Sequence, residues 1–559
     1  MNRILPRYFA FLLLLIGCSQ SADRAANEVL ISFIGTNDVH GVLLPKNGRG
    51  GLTTLSGYVG AVRAARAADG GAVLLIDAGD MWQGTLESNL SEGAAVVEAF
   101  NALGYAAAAV GNHEFDFGPV GPKPIPASDA DDPRGALKQR ATEADFPFLA
   151  ANLIDQSTGE SVVWDNVQPA VLVEAGGVKI GVVGVMTEYA LSNAIAANTV
   201  GLTVAPLNKV IEREARILRE AGANIVIVTA HSGGECTDFS DPNDTSSCDL
   251  SYEIFKVAQA LPAGLVDHIF AGHVHRGIAH VVNGVSITSS YSRTEAFSRV
   301  DMTVDTKTGR VTDRKVYPPT YTEQGVRYEG RDIVPDPAVV AIADRAAEFV
   351  DEIRREKIGV VLETPFVLTD IPESALGNMY TDAILESVDA DIAMHTVNTS
   401  IRADLPAGDL TFGSVFEMTP FDNAIHVIVL SGAELRQVIA EQSHIGENRV
   451  GFSGMSVLVD CADTNMSVTM RLLDGQEVQD LDSITVAIVD YLALGGDDIF
   501  ASVMPAGGFA LQPGAPLARD LIIDWLRNKG GTISASDFLT VDNPKWNLPE
   551  SLDSECRLN

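Results

Sequence analysis

The sequence predicts an α/β protein of two domains, and three observations carry that expectation. Its 559 residues exceed what one hydrophobic core organises, since domains run at roughly 100–200 residues. From residue 29 the chain repeats one pattern, a short apolar run closing on a tight cluster of Asp, Asn, His and Gly. Between several of these runs lie stretches of helical spacing, such as 92–103 and 207–221. Runs of four to six apolar residues fit strands buried on both faces, and their alternation with helices fits a layered α/β core.

The elements follow in order. The run 29–34 leads into Asn37-Asp38-Val39-His40-Gly41, and 73–76 into Asp77-Ala78-Gly79-Asp80. The run 106–110 leads into Gly111-Asn112-His113-Glu114-Phe115-Asp116. Then 225–228 leads into Thr229-Ala230-His231-Ser232-Gly233, and 266–270 into Ala271-Gly272-His273-Val274-His275. All five clusters follow the C-terminal end of a predicted strand, the edge at which open α/β sheets gather their ligands. Residues 118–145, rich in Pro, Gly and Asp, read as a surface insertion, as does the acidic stretch 235–250. Near residue 335 the pattern changes. Pro335-Asp336-Pro337 opens a charged helix whose Val339, Ile342, Ala346 and Val350 form one apolar stripe, a linker over 336–357. A second mixed α/β domain is expected over 358–549, followed by a tail at 550–559, with the first domain at 29–335.

Charge narrows the function classes. Lys+Arg number 39 against Asp+Glu 74, a net charge of −35, which argues against a bulk electrostatic grip on a nucleic-acid polymer. A small anion is still compatible wherever a local cation outweighs the global field. The hydrophobic fraction of 46% is too high for a disordered chain, and no internal stretch reaches the roughly 18 apolar residues of a spanning helix.

The N-terminus is read separately. Arg3 and Arg7 precede an apolar run over 8–16 that meets Gly17-Cys18, the shape of a secretory signal over 1–17. Leu15-Ile16-Gly17-Cys18 resembles a bacterial lipobox, so Cys18 is the expected lipidation site, with 18–28 a polar tether. The protein is therefore expected to be exported and held in the cell envelope by a lipid anchor only. The other four cysteines allow three pairings, and an oxidising compartment favours disulfides. The favoured pairs are Cys236–Cys248, closing the acidic loop, and Cys461–Cys556, pinning the C-terminal end.

As ligand sets, Asp38-x-His40, Asp80, Asn112, His231 and His273-x-His275 supply imidazoles, carboxylates and a carboxamide. Such N/O donors suit Zn, Mn, Fe or Co better than Ca or Mg. More donors than one ion uses imply two divalent ions, with Asp80 the natural bridge. Two such ions carry more positive charge than Asp38 and Asp80 carry negative, so the site attracts an anion inside an acidic molecule.

These motifs resemble the full set of the calcineurin-like metallophosphoesterases and, more narrowly, of the two-domain secreted 5′-nucleotidases, over nearly the whole mature chain. The resemblance implies an N-terminal four-layer α/β/β/α sandwich joined by a helix to a mixed α/β C-terminal domain. It implies that Asp38, His40, Asp80 and His275 hold one ion, and Asp80, Asn112, His231 and His273 the other. His113, with Asp116 orienting its ring, is implied as the catalytic pair that stabilises phosphoryl charge and protonates the leaving oxygen, while the two ions generate the attacking hydroxide.

In the C-terminal domain, Thr419-Pro420-Phe421-Asp422-Asn423 and Tyr491-Leu492-Ala493-Leu494-Gly495-Gly496-Asp497 resemble the loops that hold the nucleoside. They nominate Phe421 and Tyr491 as base-stacking rings and Asp497 as acceptor for the ribose hydroxyls. Arg402 is the implied phosphate clamp, in a segment reading Val397-Asn398-Thr399-Ser400-Ile401-Arg402 where the family has Gly-Gly-Ile-Arg. Ile371-Pro372-Glu373 stands where the family places another phosphate-binding Arg. The implied activity is hydrolysis of nucleoside 5′-monophosphates. The alternatives are a 2′,3′-cyclic nucleotide or nucleotide-sugar substrate on the same site, or a non-enzymatic nucleotide-binding surface lipoprotein. Monomer and dimer are equally compatible with the sequence.

Overall fold

The computed structural model describes residues 27–121, 123–128, 130–369, 373–396, 400–443, 450–462, 464–512, 514–539, 544–548 and 556–558. The signal, Cys18 and most of the tether lie outside these residues.

The first domain is built on two sheets. In the first, Glu28–Thr36, Ala72–Asp77 and Tyr105–Ala109 run parallel, and Ala296–Asp305 joins antiparallel against Glu28–Thr36. In the second, Val178–Met186, Ile225–His231, His268–Ala271 and Val285–Ser290 run parallel. Phe33, Ile76 and Ala107 of one sheet share a core with Ile180, Ile227 and Phe270 of the other. Alternate side chains point outward: Ile34 and Leu75 pack under the helices Leu52–Asp69 and Ala94–Leu103. Val226 and Val228 pack under Leu207–Glu220 and Glu253–Ala260. The layers therefore run α/β/β/α, which explains why these strands read as unbroken apolar runs rather than alternating ones.

Asp336 accepts a hydrogen bond from Ala338 N at 2.8 Å, and Pro337 occupies the first turn of the helix Pro337–Arg355. Val339, Ile342, Ala343 and Ala346 of this helix join the first domain's core. Val350, one turn further on, meets Leu86 of the first domain and Phe416 of the second. The helix is thus an extension of the first domain whose far end touches the second.

Among the described residues the second domain has three small sheets. The central one orders Ile425–Ser431, Ser483–Val489, Ile392–Thr396 and Val450–Ser453. The helices Ala375–Ser387, Gly432–Gln442 and Ala518–Lys529 contribute Met379, Leu435 and Ile522 to one continuous core.

One sequence expectation needs correction. Within 118–145 lies the helix Gly135–Glu143, and its Ala136, Leu137 and Ala141 are buried in the first domain's core, so this part is not a surface insertion. Of the stretch 550–559 only 556–558 are described: Arg557–Leu558 pairs with Asn465–Leu472, and Cys556 is fully buried. Disulfides join Cys236 to Cys248 and Cys461 to Cys556. Among the described residues, no helix is long and apolar enough to cross a membrane.

Candidate metal centre and substrate cleft

The polar clusters emerge at one edge, where the parallel strands of both sheets end. The turns there are strained: Asp38, His40, Asp80, His273 and His275 all have positive φ, between 49° and 74°. Non-glycine residues seldom adopt this region, and when they do it is where the surrounding structure over-determines them for function. The supports are visible. The buried Glu114 carboxylate accepts backbone N–H groups from Asp80, Met81 and Gly111 at 2.9, 2.8 and 2.6 Å. Asp77 accepts from Gly79 N at 2.8 Å and from the Thr36 hydroxyl at 2.6 Å. Asn37 donates to the Asp38 carboxylate at 2.7 Å and accepts from Ser290 N at 3.0 Å. Gly111 is dictated by space, since a Cβ there would lie 2.3 Å from Asp80 Oδ1 and 2.9 Å from His231 Nδ1.

The ligand atoms gather into two groups, Asp38 with His40 and His275, and Asp80 with His231 and His273, each within 4.8 Å. His40 Nε2 lies 3.0 Å from His275 Nε2, and His231 Nε2 lies 3.1 Å from His273 Nδ1. Asn112 Oδ1 completes the second group at 2.9 Å from His231 Nε2 and 3.1 Å from His273 Nδ1. Two nitrogens each about 2.1 Å from one ion, at a right angle, stand about 3.0 Å apart. The donor sets therefore fit a divalent cation in each group. The outer ring nitrogens are fixed as well, for Ala78 O accepts from His231 Nδ1 at 2.9 Å and Gln83 O from His40 Nδ1 at 2.8 Å.

The electrostatics of the ion-free residues fit a cation site. Burial raises Asp38, yet the charges of His275 and His231 outweigh it and hold it at about 2. Asp80 is held well below the usual carboxylate range, burial being outweighed by His231 and His113. Burial opposes charge on His231, but Asp80 pushes it up to about 10, so a proton sits where a cation belongs. Cation binding displaces that proton. Burial keeps His273 neutral, down at about 4.

Beside this centre, His113 Nδ1 donates to Asp116 Oδ2 at 2.6 Å. Burial works against its charge, but Asp116 and Asp80 push it up to about 9, so the ring is an imidazolium at neutral pH. The second domain faces it. Phe421 stacks on the His113 ring at 5.7 Å and 20°, and the Arg402 guanidinium lies 5.1 Å from the Phe421 ring centre. Asp80, Asn112, His113, Asp116, His273 and His275 line one wall of a cleft of about 850 Å³, and Arg402, Phe421 and Tyr491 the other. Among the described residues, Arg402 Nε is buried with no hydrogen-bond partner. A cation left so is ready for an anion. Tyr491 OH donates to Asp497 Oδ1 at 2.9 Å, and the ring lies flat on Gly496, where a Cβ would come within 2.4 Å of it.

The structure thus brings the seven nominated ligands, His113, Asp116, Arg402, Phe421 and Tyr491 to one cleft, with Asp497 behind Tyr491. Residues 397–399 and 371–372 lie outside the described residues. Glu373 is turned from the cleft, accepting from Lys545 N at 2.8 Å and Trp546 N at 3.0 Å. Sequence reasoning gave no role to Glu114 or Asp77, although both sit inside the quoted motifs as buried acids. It also missed Gln83, whose amide donates to Pro420 O at 3.1 Å across the cleft, and Asn423, which binds the buried Asp490 at 2.7 Å. Nothing in the local sequence marks these two.

A four-layer sandwich with two N/O donor groups at its strand ends defines the class as metallophosphoesterase. The comparisons with known proteins agree. Residues 31–277 match the calcineurin-like phosphoesterase family, and 357–503 the 5′-nucleotidase C-terminal domain. The chain is similar to cell wall protein Lmo0130 of Listeria monocytogenes, 27% identical across 86% of this chain, and spans only 65% of that relative. It is 23% identical to a 5′-nucleotidase of Vibrio cholerae, across 86% of this chain and 88% of that one. The crystal structure of a 5′-nucleotidase precursor from Thermus thermophilus shares the fold, with a TM-score of 0.68 at 21% identity over 94% of this chain and all of that one. The chain belongs to the two-domain calcineurin-like phosphoesterases of the 5′-nucleotidase type, a family of phosphoric ester hydrolases that use divalent metals.

Proposed function

We propose that this protein hydrolyses nucleoside 5′-monophosphates to nucleoside and phosphate. The observation that carries the proposal is the cleft itself: two cation-shaped donor groups and an imidazolium on one side, and on the other two aromatic rings and a guanidinium whose buried Nε has no hydrogen-bond partner among the described residues. Asp38, His40 and His275 would hold one divalent ion, Asn112, His231 and His273 the other, with Asp80 between them; Zn, Mn, Fe and Co all suit these donors. When bound, the ions supply Lewis-acid charge and a hydroxide nucleophile at neutral pH.

The chain's own residues do the rest. Arg402 pairs with the phosphoryl oxygens, and Phe421 and Tyr491 hold the base by stacking, which tolerates different bases. As the oxygen of water bonds to phosphorus and the bond from phosphorus to the 5′ oxygen breaks, His113 gives its proton to that departing oxygen and Asp116 holds the ring in place. Asp497 reaches the ribose hydroxyls. The division into 29–335, 336–357 and 358–549 lets the second domain carry the nucleoside to metals fixed in the first, as hinge enzymes do. The signal-like N-terminus, the two disulfides and similarity to a protein named for the cell wall support an exported envelope protein, anchored through Cys18.

A panel of AMP, 2′,3′-cyclic AMP and UDP-glucose, run with chelator and then with Zn²⁺ or Mn²⁺ restored, tests the proposal. AMP is expected to give the highest kcat/KM, abolished by chelation. AMP as the poorest substrate overturns the substrate assignment, and chelator-resistant turnover overturns the metal assignment.

A further inference from the structure

The turn that follows the strand Val178–Met186 has no part in the nominated site, yet it touches three ligands of one ion group. Its root is tied to the first of them, since Thr187 N donates to His231 O at 2.9 Å. Its tip is Asn193, the last residue of the short 3₁₀ turn Ala190–Asn193, which lines the cleft with Ala194 and Ile195. Asn112 Nδ2 donates to Asn193 O at 3.1 Å. The side-chain amide nitrogen of Asn193, Nδ2, lies 3.3 Å from His273 Nε2.

Both contacts bear on which atom each ligand turns inward. An amide whose nitrogen is engaged by a carbonyl has its oxygen left for a cation, and Asn112 Oδ1 is the atom that faces His231 and His273. An imidazole that ligates through Nδ1 carries its proton on Nε2, and that N–H needs an acceptor. Turning the Asn193 amide over about its Cβ–Cγ bond exchanges Nδ2 for the carbonyl oxygen at that place, and the oxygen then accepts the Nε2 proton.

We infer that Asn193 is a positioning residue for the second ion. Its backbone carbonyl orients Asn112, and its side-chain carbonyl selects the tautomer and ring orientation of His273. It rests on the two-ion reading of the cleft and adds a residue about 80 positions in sequence from both ligands it sets.

The test uses the full-length protein stripped by chelator and titrated with Zn²⁺ in competition with a chromogenic chelator, counting ions bound and their affinities. The wild type is expected to bind two ions. Asn193→Ala is expected to weaken one of them about 10- to 100-fold, the scale of such outer contacts, and leave the other unchanged. Asn193→Asp keeps an acceptor oxygen toward Nε2 and is expected to restore the affinity to within a few-fold. The melting temperature of the ion-free protein is expected to be the same for all three, which a merely structural role would not give. If the alanine variant does not fold, Asn193→Gln, which displaces the amide by one methylene, takes its place. Two ions bound with unaltered affinity in the variant, equal weakening of both, or no rescue by Asn193→Asp overturns the inference. A wild type that binds fewer than two ions overturns the two-ion reading instead.

Discussion

The two walls of the cleft differ in how much of their geometry is settled before a ligand arrives. Among the described residues, Asp38 and His231 on the metal wall are fully buried, five ligands are held in left-handed backbone, and none of the seven ligands has a buried side-chain polar atom without a partner. On the opposite wall Arg402 Nε, and behind that wall Asp497 Oδ2, are buried with no partner among the described residues, and Phe421 rests on His113 and Arg402 rather than in a core of its own. One wall is over-determined by the fold. The other has open hydrogen-bonding capacity that a bound anion and sugar would fill, an arrangement costly to leave unmade. The settled geometry lies in the first domain and the open hydrogen-bonding capacity in the second.

The most damaging break in this contrast is on the metal wall. Asp80→Ala removes a ligand, the partner of His231 and the acceptor of His113 N at 2.9 Å. It is expected to lose bound metal and lower kcat on the order of 10⁴-fold, the scale on which members of one catalytic unit fail; metal analysis beside AMP turnover checks it. His113→Ala should keep both ions and lower kcat about 10²–10⁴-fold with little change in KM. Near-wild-type kcat would remove His113 from the chemistry. Arg402→Ala acts on the other wall. Losing a charge-assisted contact of about 1.5–3 kcal/mol lowers kcat/KM roughly 10- to 150-fold, with metal content untouched. A fall in metal content would show that the walls are not separable.

The same contrast decides what the sequence made legible. Parallel strands buried on both faces leave unbroken apolar runs, and a polar residue directly after such a run stands at the sheet edge by necessity, so Asp38, Asp80 and His273 could be nominated from spacing alone. The pairing partners Cys236 and Cys248 were legible from the closed acidic loop. Arg402, Phe421 and Tyr491 carry no periodic signal and rested on resemblance. Gln83 and Asn193 act through amides whose partners lie across the cleft or some 80 residues away, and no local pattern encodes that. The helix Gly135–Glu143 was hidden because Pro, Gly and Asp upstream dominate the composition of its neighbourhood.

The smallest effect on turnover, and the sharpest test of the idle wall's cost, is Asp490→Asn. Asp490 is buried, and its Oδ1 accepts from Asn423 Nδ2 at 2.7 Å and from Tyr491 N at 2.9 Å, which holds both cleft-lining residues in place. Burial pushes its pKa up to about 6 from 3.8, only partly offset by the Asn423 contact. The folded state therefore binds this proton more tightly than the unfolded chain. Stability from this group is fully present below about pH 4 and is lost as pH rises to about 6; above that, the fold carries a buried carboxylate at a cost of up to about 3 kcal/mol. Asparagine still accepts from Asn423 without the charge. The variant should therefore melt higher than wild type at pH 7.5 and at the same temperature near pH 4, in chelator-treated protein so that metal loss in acid does not enter. AMP turnover should change less than about threefold, since the variant removes at most about 0.5 kcal/mol from the contacts that position Tyr491. An equal gain at both pH values would mean that packing, not charge, sets the cost of this wall, and no gain at either would mean the carboxylate is already balanced without ligand.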